Sequence, residues 1–153
     1  MNDAIFLCLP NEVYLPPITI TGELRLASKN EENLVKKWME NFYSEALSAS
    51  LPPSGHESEG NELINEAHSV LYLWWDNSHP VAMGSIHNSN GRCRINLVFT
   101  PNVLRRMGYG RAVVSALINI ARKNGHLPVL YVDPMNKKAL RLYRSMGFVE
   151  FIH

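Results

Sequence analysis

The chain has little of what marks the specialised protein classes. Only two of its 153 residues are cysteine, Cys8 and Cys93, in no redox or metal-ligand spacing. A disulfide framework is therefore not expected, and a reducing compartment, the cytoplasm, is the default reading. No apolar run approaches the roughly 18 residues that a membrane span needs. The N-terminal MNDAIFLCLPNEVY has no basic stretch ahead of its short apolar run, which Pro10 interrupts, and this argues against a secretory signal. No internal repeat is present, which excludes solenoids and propellers. The six histidines fall in no H-x-x-x-H spacing, so no metal is expected. With 46% hydrophobic and 19% charged residues, the composition is that of one globular domain over residues 1–153.

A net charge of +1 conceals an asymmetry. Residues 1–91 carry 4 Lys+Arg against 12 Asp+Glu, a balance of −8, and residues 92–153 carry 11 against 2, a balance of +9. A basic half attracts an anionic cofactor or nucleic acid, and an acidic half attracts an amine. Attraction of the halves for each other across one fold is the alternative.

Hydrophobic periodicity divides the chain into elements. ITGELRLA, residues 20–27, contains an alternating run that reads as a strand, and Ser28 with Glu31 forms an S-x-x-E capping box. Leu34, Val35, Trp38, Met39, Phe42 and Ala46 then follow helical spacing, which predicts an amphipathic helix over 30–47. Residues 48–62 form a Pro, Gly and Ser loop carrying Glu57, Glu59 and Glu62, and a short helix around 61–67 is expected next. SVLYLWW, VAMGSIH and RCRINLVF, separated by DNSHP and NSNG, read as a three-stranded antiparallel meander, with Trp74 and Trp75 facing opposite sides.

From residue 108 the period changes. Ala112, Val113, Ala116, Leu117, Ile120 and Ala121 share a helical face that ends near Gly125. LPVLYVD, residues 127–133, suits a central strand. Residues 136–146 are helical, with Ala139, Leu140, Tyr143 and Met146 inward, and GFVEFI closes as a strand. Strand, helix, strand, helix, strand requires parallel pairing somewhere in the sheet.

RRMGYGRA, residues 105–112, joins a strand to a helix start. A glycine loop there presents unpaired backbone N–H groups, reinforced by the helix dipole, and such a place binds phosphate or pyrophosphate. A P-loop is excluded because no Lys-Ser or Lys-Thr follows the glycines, and a dinucleotide fingerprint because it needs three glycines after an early first strand.

Arg105-x-x-Gly108-x-Gly110 resembles the R/Q-x-x-G-x-G/A motif of the GNAT superfamily of N-acetyltransferases. Upstream, LVFTPN stands where that family has V-x-P, although Pro101 falls so that Asn102 takes the place of the usual proline. Downstream, Val132, Asn136, Ala139, Tyr143, Gly147 and Phe148 match its V…N-x-x-A-x-x-x-Y…G-F pattern. The likeness is sharp over residues 92–148 and extends to 22–91 by element order. It implies an α+β fold: a mixed, mostly antiparallel sheet flanked by helices, whose fourth and fifth strands splay apart around acetyl-CoA.

The resemblance also implies roles. Backbone groups of Val98, Phe99 and Thr100 would pair with the pantetheine arm, and one amide would polarise the thioester carbonyl. Amides from Arg106 through Met107, Gly108, Tyr109 and Gly110 to Arg111 would cradle the pyrophosphate, with the Arg105 and Arg106 side chains either phosphate-facing or solvated. Asn136 would touch the cofactor or cap its helix. Tyr143 would protonate the leaving thiolate, or be a core aromatic. RCRINLV lacks the family's glutamate, which leaves His87, Asp133, Glu150 or a water as base.

The expected activity is acetyl transfer from acetyl-CoA to a primary amine, of a small molecule or a protein, with a cationic acceptor favoured by the acidic loop. A catalytically idle acyl-CoA sensor and a nucleic-acid-binding protein are the alternatives. Against the latter, the basic residues are not interleaved with aromatics and no nucleic-acid motif is present. Family members usually have one further strand after G-F, so an open sheet edge and a homodimer are expected.

Overall fold

Two-residue turns give the sheet its centre. A computed structural model of the chain describes residues 4–47 and 69–151, so the acidic loop with Glu57, Glu59 and Glu62 and the expected helix at 61–67 lie outside the described residues. Strands β3 (Ser69–Asp76), β4 (His79–Ser89) and β5 (Arg92–Phe99) form the anticipated meander. Both connections run through residues with positive φ, Asn77 (50°) and Ser78 (65°), then Asn90 (52°) and Gly91 (76°). Turns of that hand match the twist of a tight hairpin, which is why short polar residues and glycine stand there.

Strand β2 (Glu23–Leu26) adds antiparallel to β3. On the other side β6 (Leu127–Val132) joins β5 in parallel, β1 (Ile5–Cys8) joins β6 antiparallel, and β7 (Val149–Glu150) joins β1. The sheet order is β2-β3-β4-β5-β6-β1-β7, mixed and mostly antiparallel as expected. Strand β1 was not anticipated: four residues, IFLC, are too few to show an alternation. It lies between β6 and β7, so the inner side of β7 is paired within the chain, and the edge argument for self-association applies to its outer side alone.

Helices cover both faces. Before α1 (Glu32–Leu47), Glu31 accepts from the Ser28 N–H at 2.8 Å and from its hydroxyl at 2.9 Å, which caps the preceding turn. Val35, Trp38 and Met39 of α1 are buried against Leu71, Leu73, Met83, Leu97 and Phe99. On the opposite face α2 (Tyr109–Lys123) and α3 (Lys137–Met146) pack with Leu7, Trp74, Ile86, Ile95, Leu130 and Phe148. Trp74 joins this larger core while Trp75 packs on the α1 side, as the strand period requires. No described helix is long and apolar enough to cross a membrane.

The buried arc of α2 is wider than its sequence suggests. Ala112, Val113, Leu117 and Ala121 are buried as expected, but so are Val114, Ser115 and Ile118, whereas Ala116 and Ile120 are only partly covered. The reason is a second covering layer. Val113 and Leu117 face the sheet at Gly84, and Ala112 and Ser115 face the segment between β1 and β2.

Gly84 sets the depth at which α2 sits: a Cβ there would lie 2.6 Å from Val113 Cγ1 and 3.0 Å from Leu117 Cδ1. Gly84→Ala is expected to lower unfolding free energy by about 2 kcal/mol through overpacking, read by urea denaturation.

Candidate functional site

The strands β5 and β6, which are the fourth and fifth of the resemblance once β1 is set aside, separate early. Their pairing is confined to Arg92–Leu127, Cys93–Pro128 and Arg94–Val129. Beyond it β5 contains a bulge: Met83 to Ser85 on β4 spans two steps, while the matching Phe99 to Asn96 spans three. The extra residue is absorbed at Leu97, whose φ of 52° is left-handed, and the Leu97 N–H donates to Asn96 Oδ1 at 2.8 Å. Such a conformation costs a branched residue about 1–2 kcal/mol, which the side-chain bond partly offsets. Consequently the strand turns over. Cys93 and Ile95 belong to the larger core, but Leu97 and Phe99 belong to the α1 side.

The chain then makes a short helical turn at Asn102–Leu104 and enters the glycine loop. Arg106 (φ 69°) and Gly108 (φ 87°) are both left-handed, and Gly108 is the N-cap of α2 with no side chain to bond the first amides. The first intrahelical bond is Ala112 N–H to Gly108 O at 3.0 Å. At α3 the opposite holds, for Asn136 Oδ1 accepts from Ala139 N–H at 3.2 Å. One helix start is capped by its own side chain and the other is open, which is the arrangement that receives an anion.

Side chains around the loop are largely committed. Arg105 donates to Thr100 O at 2.7 Å and to both oxygens of Glu45 at 2.8 and 2.7 Å, and its guanidinium lies over Phe99. Its side chain therefore braces the loop. Tyr109 donates to Asp76 Oδ2 at 2.7 Å, and Thr21 donates to Asp76 Oδ1 at 2.9 Å. The Tyr109 bond, then the Thr21 bond, hold the Asp76 carboxyl below its ordinary range, and the same contact pushes the Tyr109 phenol up. Arg111 donates to Ser145 Oγ at 2.8 Å, joining α2 to α3. Arg106 and Met107 are exposed.

A cavity of about 540 Å³ opens beside this helix start. Its walls are Val13–Ile20, the α2 residues Gly108, Arg111, Ala112 and Ser115, and Arg144–Gly147 at the end of α3. Gly108 and Arg111 are the sequence-derived residues that line it. The proline pair in VYLPPITI was a signal for an extended covering segment, because proline fixes its own φ and restricts the residue before it. Ser115, Arg144 and Ser145 carried no such signal.

Tyr143 is 9% exposed, edge-on to Phe148 at 5.8 Å between ring centres. Burial pushes its phenol up to about 12. The candidate bases are dispersed. His87 Nδ1 lies 2.6 Å from Ser69 Oγ, Asp133 Oδ1 accepts from Met135 N–H at 2.9 Å, and Glu150 is on β7 opposite Leu7. Among the described residues no group of three His, Cys, Asp or Glu stands ready to hold a metal ion.

Residues 33–148 match the family model described as the acetyltransferase (GNAT) family. Acetyltransferase Atu2258 of Agrobacterium fabrum is 33% identical over 64 residues, which are 42% of this chain and 46% of that protein. A GNAT-family acetyltransferase from Colwellia psychrerythraea superposes with a TM-score of 0.72 at 13% identity, over 98% of this chain and 53% of that one. The chain thus spans about half the length of both relatives. A predicted acetyltransferase from Clostridium acetobutylicum, solved with acetyl-CoA, superposes with a TM-score of 0.66 at 16% identity, over 86% of this chain and 92% of its own.

The buried phenol carries a pH signature. Tyr143 holds its proton more tightly folded, at about 12, than unfolded, at the ordinary phenol value of about 10, so its contribution is complete below pH 10 and is lost as pH rises toward 12. Urea unfolding between pH 9 and 11.5 is expected to show a falling stability, by up to about 3 kcal/mol at the limit, with a shallower fall in Tyr143→Phe.

Proposed function

Since the chain belongs to the acetyltransferase (GNAT) family and is an acyltransferase, we propose that it transfers an acetyl group from acetyl-CoA to a primary amine. The observation that carries this reading is the open, uncapped start of α2 at Gly108, standing after a strand whose far half has lost its β6 neighbour. These residues suit the cofactor: left-handed Gly108 has no Cβ to obstruct an anion, and Arg111 and Arg144 bring positive charge to the adjoining cavity.

Bound as cosubstrate, acetyl-CoA supplies a thioester that an amine opens directly. The chain then has three tasks: to donate to the carbonyl oxygen, to accept the amine's proton, and to protonate the departing sulfur. Backbone N–H groups of the Val98–Thr100 segment serve the first, since preorganised amides in a cleft stabilise developing negative charge. Leu97 is less suited, because its N–H already donates to Asn96. Amides from Arg106 to Arg111 seat the pyrophosphate. The Arg105 side chain acts at one remove, holding the loop to Glu45 and Thr100. Asn136 keeps its capping role and presents the start of α3 to the cofactor's arm.

Tyr143 is the hydrogen-bond donor to the departing sulfur in this scheme. A phenol at about 12 is protonated throughout the physiological range, so the donor is always loaded. Full transfer to a thiolate of ordinary pKa near 8.5 is then uphill by about 3.5 units, roughly 5 kcal/mol, so the phenol's hydrogen bond tightens as charge builds on sulfur, and the proton that completes the thiol comes from the water that takes the amine's. The amine's proton leaves to a water, as β5 has no carboxylate.

Calorimetry of the protein with acetyl-CoA is expected to show micromolar binding. Gly108→Glu abolishes it by placing a carboxylate at the helix start, whereas Tyr143→Phe retains binding and lowers thiol release by about 10²-fold or more. A folded Tyr143→Phe with unchanged turnover would assign that hydrogen bond to another group. Absence of binding to the folded wild type would reduce the glycine loop to a turn.

A further inference from the structure

The two faces of the splay differ in chemistry. The seat at the start of α2 and the buried Tyr143 belong to the side covered by α2 and α3. The other side is covered by α1 over β3, β4 and the last residues of β5. On that side, by the alternation of the strand, stand Arg92, Arg94 and Asn96, since Cys93 and Ile95 point into the larger core. Tyr131 of β6 shares this side, opposite in sense to buried Leu130 and Val132, and is 51% exposed.

Arg94 is the last residue of β5 paired to β6, opposite Val129, and Tyr131 lies two residues farther along β6. Arg94 lies 5.0 Å above the Tyr131 ring, so the pair spans the point at which the strands part. Arg92 stands beside it, 4.5 Å above Phe151 and 5.8 Å above Phe6, rings that have further contacts of their own. A guanidinium held over an aromatic ring still has N–H donors for a planar or tetrahedral anion.

Neither arginine has a carboxylate partner among the described residues. Among the described residues the ion pairs are Arg25–Glu23, Lys36–Glu32 and Arg105–Glu45, none of which involves Arg92 or Arg94. The strands β4, β5, β6 and β1 bring no carboxylate to this side, and Asp133, just past β6, already accepts from the Met135 amide. Opposite Arg94 in register is His87, and opposite Asn96 is Ser85. Cation, ring and polar groups thus adjoin the gap on the side away from the helix start of α2.

We propose that this face receives the acceptor, and that the acceptor is a primary amine that also bears a carboxylate or phosphate group, held by Arg94 and Arg92. The proposal rests on the transferase reading above and reverses the preference for a cationic acceptor that the acidic loop suggested. With the anion anchored where the strands part, the amine end is directed along the gap.

Binding to the protein alone tests it, by ligand-observed NMR with matched pairs: 4-aminobutyrate against butylamine, and O-phosphoethanolamine against ethanolamine. At least one acid is expected to bind about tenfold or more tightly than its partner amine, and whichever pair shows the larger ratio identifies the anion. Arg94→Gln collapses that ratio toward one, and Arg94→Lys, which keeps the charge but not the planar edge, leaves part of it. Equal or weaker binding of both acids in the wild type would overturn the proposal, as would a preference that survives Arg94→Gln and Arg92→Gln together. Failure of CoA binding in calorimetry would remove the transferase reading and leave this preference to be decided on its own.

Discussion

One extra residue in β5, accommodated where the Leu97 backbone turns left-handed, reverses the facing of the strand's last side chains beyond the last contact with β6. Phe99 can then pack on Trp38 of α1, which anchors the end of the strand on one face. The loop that follows delivers α2 to the opposite face. Had the strand stayed regular, Leu97 would have pointed into the α2 side with Ile95, and β6 could have continued alongside, closing the gap with ladder bonds. Local strain of the order of a kcal/mol thus maintains an opening in the middle of a sheet whose every other strand pair is closed.

Electrostatics of the two halves are only weakly satisfied within the fold. Among the described residues a single ion pair, Arg105 with Glu45, joins the basic half to the acidic one. That pair holds the glycine loop against α1 and commits the loop's first arginine to the protein itself. Elsewhere the positive charge is retained on the surface of the second half, at Arg106, Arg111, Lys137, Lys138, Arg141 and Arg144. Uncompensated charge of one sign near a helix start raises the local concentration of an anionic ligand.

Legibility in the sequence followed the length and regularity of the signal. The meander was readable because Asn-Ser and Asn-Gly sit between alternating runs, and α3 because Asn136, Tyr143 and Gly147 keep fixed intervals. The glycine loop was readable because two glycines adjoin a change of period. β1 was not, being four residues long, and its place between β6 and β7 depends on pairing with residues more than 120 positions away. The bulge was invisible too: nothing in RINLV announces that leucine, which gains nothing from a positive φ, will be the residue to adopt it. Tyr143 could be picked out by spacing, but its pKa arises from burial that only the assembled core creates.

The segment from β1 to β2 ties these parts together. It leaves one end of the sheet, where Arg122 Nη2 donates to Pro10 O at 2.9 Å, and arrives at the other, where Trp74 Nε1 donates to Thr21 O at 3.1 Å. Between those points Val13 lies so close to Gly147 that a Cβ there would come within 2.5 Å of it, and Ile20 stands against Gly108. Thr21 also donates to Asp76, which accepts from Tyr109, the first residue of α2. The open helix start is therefore positioned from three directions: by Gly84 beneath, by Arg105 and Glu45 at the loop, and by the covering segment through Asp76. A cavity whose walls are fixed this way before any ligand arrives spares the binding step the entropy of ordering them, and affinity then depends on the match between the ligand and an already formed shape.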